Sequence, residues 1–88
     1  MNIKKYAFVI SAPNRQNIVM ALSTEKTPTQ LVKELGKQDA NISRTLRELT
    51  SQKIIICLTP DNKRGRIYRL SKEGKEIGDK LLLISSKN

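Results

Sequence analysis

The sequence holds one cysteine and no histidine. A single thiol excludes an internal disulfide, and the usual metal sites need several Cys or His ligands. A Ser–His or Cys–His nucleophile lacks its base for the same reason. The chain therefore reads as no enzyme, with no metal and no cofactor. Tryptophan is absent, and Tyr6, Phe8 and Tyr68 are the only aromatics, so the core must be aliphatic. No apolar run approaches the roughly 20 residues that span a bilayer. Lys4 and Lys5 precede Tyr6–Ile10, which is too short for an export signal and has no convincing cleavage site. These absences point to a soluble protein of the cytoplasm with no membrane partner.

What the chain has in excess is positive charge. Its 17 basic residues against 8 acidic ones give a formal charge of +9 and a pI near 10.1. That is the electrostatic footprint of a nucleic-acid binder, at home on the nucleoid. Membrane surfaces and acidic proteins attract such a charge too. Eighty-eight residues make one small domain, near the lower limit for closing a core unaided. Burial through dimerisation would help it.

Along the chain, residues 3–10 fit two patterns. Ile3, Tyr6, Ala7 and Ile10 have helical spacing, while Tyr6, Phe8 and Ile10 also alternate as a strand would; the helix is preferred. Ser11 as cap and Pro13 in the first turn start a second helix, which runs to about Leu22 and buries Ile18, Val19 and Leu22. Ser23–Lys26 is a polar connection. Thr27-Pro28-Thr29-Gln30 is the clearest helix start, with Thr27 and Gln30 forming a capping box and Pro28 presetting φ. Leu31, Val32 and Leu35 are the apolar positions of this helix, and Gly36 ends it.

Asp39 then caps a further helix over about residues 39–52. Ile42, Leu46 and Leu49 fall at i, i+4 and i+7 and form its buried stripe. The opposite side carries Ala40, Arg44, Arg47 and Ser51, with Asn41 on the shoulder. Such a helix suits the DNA major groove and would equally suit a solvated surface, its arginines paired with Glu48 or Glu34. Two short helices joined through a glycine turn make a helix-turn-helix unit.

After Gln52 the period changes to two. Lys53–Leu58 reads as a strand in which Cys57 is a small buried hydrophobe, and Arg66–Leu70 as its return. A six-residue loop, Pro60–Gly65, makes the pair a β-hairpin. Ser71 caps a last helix over residues 72–84, whose stripe is Ile77, Leu81 and Ile84, widened by Leu82 and Leu83. Gly74 and Gly78 within it imply either a close backbone approach or a later helix start. Ser85–Asn88 reads as a frayed tail.

Four stretches carry a closer likeness: Thr27–Gly36, Asn41–Leu49, Lys63–Leu70 and Ser71–Lys75. Over roughly residues 15–77 the chain resembles small archaeal winged-helix transcriptional regulators, broadly those of the MarR and ArsR groups. Gln38 and Asp39 stand where that family often has serines, and the ligands of ArsR-type metal sensing are missing. The resemblance implies an α+β, mostly helical winged helix-turn-helix: three helices, a two-stranded wing and a C-terminal helix in one domain.

It also implies a sequence-specific regulator of double-stranded DNA. The 39–52 helix would enter the major groove, and the 59–66 wing would follow the backbone or minor groove. Arg44 and Arg47 are the leading contacts, because an Arg fork can bond guanine O6 and N7 together. Asn41 suits adenine and the Ala40 methyl suits thymine. Ser43, Thr29 and Gln38 suit phosphate or the groove edge. Lys63, Arg64 and Arg66 would grip the backbone from the wing, unless they only keep a mobile tip soluble.

The Leu81–Ile84 cluster reads as a homodimer contact. It would use Ile77, Leu81, Leu82 and Ile84 with Tyr6, Phe8 and Ile10, and packing on the first helix is the alternative. Two other functions compete: a winged-helix protein-interaction module of the transcription machinery, and a nonspecific chromatin or architectural protein.

Overall fold

The elements in order are α1 (Ile3–Ile10), α2 (Pro13–Ala21), α3 (Pro28–Leu35), α4 (Asp39–Ser51), β1 (Ile55–Cys57), β2 (Tyr68–Leu70) and α5 (Lys72–Ser86). They are those of a computed structural model that describes residues 2–86. Helix α2 is the hub and touches α1, α3, α4 and α5. Its apolar residues Ile18, Val19 and Ala21 occupy neighbouring positions, so they serve several partners at once. They meet Val9, Leu31, Leu49, Ile54 and Ile77 in one aliphatic core. Burying each such side chain contributes about 1.5–3 kcal/mol, which is how a chain this short closes without tryptophan.

The start of α3 matches its sequence signal in every part. Thr27 Oγ1 accepts from Gln30 N at 3.3 Å, Gln30 Oε1 accepts from Thr27 N at 2.8 Å, and Gly36 closes the helix at φ 64°. Two other caps differ from the reading. Asp39 is already helical, so Gln38 is the cap residue of α4 and no side chain bonds there; Asp39 instead adds a negative charge to the first turn. Ala12, not Ser11, precedes α2, because Ser11 ends α1 and its hydroxyl donates to Phe8 O at 2.8 Å.

The hairpin is shorter than its apolar runs. Antiparallel pairing joins Ile55 to Leu70, Ile56 to Arg69 and Cys57 to Tyr68. One more rung runs from Leu58 N to Ile67 O at 2.7 Å, after which Thr59 Oγ1 takes the Ile67 N–H at 3.0 Å. The side chain thus replaces a ladder carbonyl, and the wing loop is longer than Pro60–Gly65. The connection before α3 is not merely polar, since Lys26 N donates to Tyr68 O and Tyr68 N to Lys26 O. That bridge ties the entry of α3 to the base of the wing.

Ser71 Oγ accepts from Gly74 N at 3.0 Å and starts α5. Gly74, Ile77, Gly78 and Leu81 face the body, so the buried stripe stops at Leu81. Ile84, read as part of that stripe, is 50% exposed. The helix continues through Ser86, past the expected fraying at Ser85, and Lys87 and Asn88 lie outside the described residues. Among the described residues no helix is long and apolar enough to cross a membrane. The whole is a winged helix, with α3 and α4 as the helix-turn-helix and β1–β2 as the wing.

Candidate nucleic-acid interface

Helix α4 is held down by Ile42, Leu46 and Leu49, as its spacing implies, and also by Thr45, which is 4% exposed. The Thr45 hydroxyl donates to Asn41 O at 2.8 Å, so this polar group is satisfied inside the helix. The stripe fixes which side faces outward: Ala40, Ser43, Arg44, Arg47 and Ser51 are exposed, and Asn41 is half-buried.

Arg44 Nη2 donates to Asn41 Oδ1 at 2.7 Å. The two side chains form one unit, with the rest of the guanidinium fork still open. Arg47 projects into a cleft of about 230 Å³ that it lines with Ser43 and Leu46 from α4 and Pro28 from α3. Lys63, Arg66 and Tyr68 close its other side. The fold therefore brings together Arg47, Lys63 and Arg66, which are up to 19 residues apart in sequence. Pro28 and Tyr68 are lining residues that sequence reasoning missed, because Pro28 is already accounted for as the helix start and Tyr68 as part of the returning strand.

At the tip, Gly65 takes φ 66°, a left-handed conformation that side chains resist. Arg66 Nε donates to Asn62 O at 2.7 Å, which gives the tip a fixed turn. Lys63 and Arg64 are exposed on it, while Arg64 does not line the cleft. Thr29, in the first turn of α3, and Gln38, at the entry to α4, are both exposed. Gln30 is engaged in the capping box.

Glu48 and Glu34, the two glutamates the sequence offers as partners for Arg44 and Arg47, are occupied elsewhere. Glu48 pairs with Arg15 of α2 at 3.3 Å, and Glu34 pairs with Lys26. Neither pairs with Arg44 or Arg47, so these two arginines keep their charge unneutralised by either glutamate. Among the described residues no group of three His, Cys, Asp or Glu is placed to hold a metal ion.

The residues read as a dimer contact divide into two sets. Ile77 and Leu81 are 0% and 6% exposed and belong to the core of this chain, which corrects their assignment. Tyr6 and Phe8 are half-buried, covered by Lys80 Nζ at 4.8 Å and by the Arg15 guanidinium at 3.8 Å from the ring centres. Ile10 at 42%, Leu82 at 50% and Ile84 at 50% remain open. Cys57 is a half-buried free thiol, less enclosed than a core hydrophobe.

Neither protein-family models nor curated proteins give a match to this sequence. Solved structures do. The adhesin competence repressor AdcR from Streptococcus pyogenes superposes with a TM-score of 0.79 at 18% identity, over 97% of this chain and 68% of its own. The transcriptional repressor BigR from Xylella fastidiosa gives 0.78 at 19%, over 98% of this chain and 86% of its own. The reduced form of MarR from E. coli gives 0.75 at 23%, over 96% of this chain and 65% of its own. Other matched chains are longer still, this one spanning 52% of one and 58% of another. At these identities the likeness establishes a MarR-type winged-helix fold.

Proposed function

We propose that this chain is a transcription regulator that binds double-stranded DNA in a sequence-dependent manner, as a homodimer on a two-fold-symmetric operator. The observation that carries the reading is the outward face of α4 continuing into the wing. Arg44, Arg47, Lys63 and Arg66 are exposed there, and Glu48 and Glu34 are held by other cations. Two of the matched structures are named as repressors, AdcR as an adhesin competence repressor and BigR as a transcriptional repressor, which supports it.

In this reading α4 lies in the major groove. The Arg44–Asn41 unit and Arg47 approach base edges, with Ala40 against a thymine methyl and Ser43 at a phosphate. Lys63, Arg64 and Arg66 follow the adjacent backbone or minor groove, and Thr29 and Gln38 add polar contacts at the groove edge. The exposed Ile10, Leu82 and Ile84 supply the contact between protomers, with Tyr6 and Phe8 at its rim. An architectural role fits less well, because the tip residues Asp61–Arg66 carry no apolar wedge.

Selection of bound duplexes from a random pool tests the whole reading. A recurrent palindromic motif is the expected result. Binding without any sequence preference would instead favour the architectural role, and no duplex binding at low salt would favour a protein-docking module.

A further inference from the structure

Arg15 lies on α2, outside the basic face, and its side chain is firmly anchored. Its Nη1 donates to Phe8 O and to Ser11 Oγ, both at 2.9 Å, and its guanidinium stacks 3.8 Å from the Phe8 ring centre. With the fork held in this way, Nε is left aimed at Glu48 Oε1 at 3.3 Å. The Arg15 side chain is only 18% exposed, and that of Glu48 is 38% exposed. Glu48 follows Arg44 by one helical turn and adjoins Arg47 in sequence. Released, its carboxylate would reach Arg44 as an i, i+4 neighbour.

Resting on the reading of α4 as the DNA-facing helix, we infer that Arg15 is a positioning residue for DNA binding that acts by sequestering the Glu48 carboxylate. It draws that charge toward α2 and leaves the arginines of α4 free for phosphate and base. The same arrangement recurs on α3, where Lys26, held by its two backbone bonds to Tyr68, engages Glu34. Of the three carboxylates on α3 and α4, two are thus engaged by cations from outside those helices.

Duplex affinity measured across salt concentrations for four proteins, each checked for folding by circular dichroism, tests this. The slope of log affinity against log salt falls by about 0.9 for each phosphate no longer neutralised, or roughly eight-fold in affinity at 0.1 M salt. Arg15→Gln should show about that decrease, in both slope and affinity. Arg15→Gln with Glu48→Gln should recover both to within about two-fold, since no carboxylate is left to release.

Glu48→Gln alone should bind within about two-fold of the parent, because its charge is already held away. This variant alters a partly exposed side chain and keeps the test open should Arg15→Gln not fold. A double variant as weak as Arg15→Gln would mean Arg15 is only a strut, and overturns the inference. So would an unchanged Arg15→Gln, or several-fold tighter binding by Glu48→Gln. If the unaltered protein binds no duplex, the DNA reading itself fails; if it binds and the variants misbehave, only the role of Arg15 fails.

Discussion

Gly74 passes directly over the carbonyl of Ile54, so close that a methyl group on Gly74 would collide with that oxygen. The same carbonyl accepts from Ser71 N and from Ser71 Oγ, each at 2.9 Å. The first turn of α5 is thus seated on the residue that leads into the hairpin. Glycine is required there because the two nearest atoms are rigid backbone, with Ile54 Cγ2 only beyond them at 3.4 Å.

Replacing Gly74 with alanine should therefore destabilise the protein by more than about 2 kcal/mol, although alanine favours a helix by up to about 1 kcal/mol. Gly78 is the internal control. A methyl there would meet Leu70 Cδ1 at 3.5 Å and Val19 Cγ1 at 3.6 Å, which are ordinary contacts. Gly78→Ala should leave stability unchanged or raise it by up to about 1 kcal/mol. Urea unfolding midpoints of the two variants should diverge accordingly.

Lys53 ends the α4 segment at φ 58°, in a conformation that costs a residue bearing Cβ about 1 kcal/mol. Lys53→Gly should raise the urea midpoint by an amount equivalent to several tenths of a kcal/mol, net of glycine's extra freedom in the unfolded chain. A fall in the midpoint would show that Lys53 is held there by packing of its stem.

The two cation sets of the interface should respond differently to truncation. Arg44→Ala removes a fork from the middle of α4 and should relax the selected motif, costing about 1–3 kcal/mol on the preferred duplex. Lys63→Ala should weaken all duplexes nearly equally and lower the salt slope by about 0.9. Competition binding with matched and scrambled duplexes separates them. If Arg44→Ala changes neither affinity nor preference, the docking of α4 is wrong.

The apolar residues of α5 should also fall into two classes. Ile77→Ala opens the core and should cost about 2–5 kcal/mol. Leu82→Lys with Ile84→Lys alters side chains that are half exposed, and should leave the unfolding midpoint of the protomer little changed. Sedimentation at micromolar concentration should show two chains in the parent and one in that double variant. A monomeric parent that still binds a palindrome contradicts the dimer.

Much of this was legible residue by residue. Thr27, Pro28, Gln30 and Gly36 placed the limits of α3, because capping and left-handed termination depend on groups within one turn. Ile42, Leu46 and Leu49 set the rotation of α4, and hence the exposure of Arg44 and Arg47. The Asp39 and Ser11 caps were misplaced by one residue. A polar side chain marks the neighbourhood of a helix end, and only the backbone decides on which side of the boundary it falls.

Tertiary structure decided the rest, through partners that lie far apart along the chain. Nothing in the spacing of Arg15 and Glu48 marks them as an ion pair across 33 positions, nor Lys26 and Tyr68 as a bridge across 42. Nor does it tell Ile77 from Ile84, which belong to the same helical stripe: one meets the body and the other extends beyond it. The linear pattern determined which side chains share one face of an element, because periodicity is a local property of the backbone. Which apolar face finds a partner within the chain, and which charge is neutralised by it, depends on how the elements assemble.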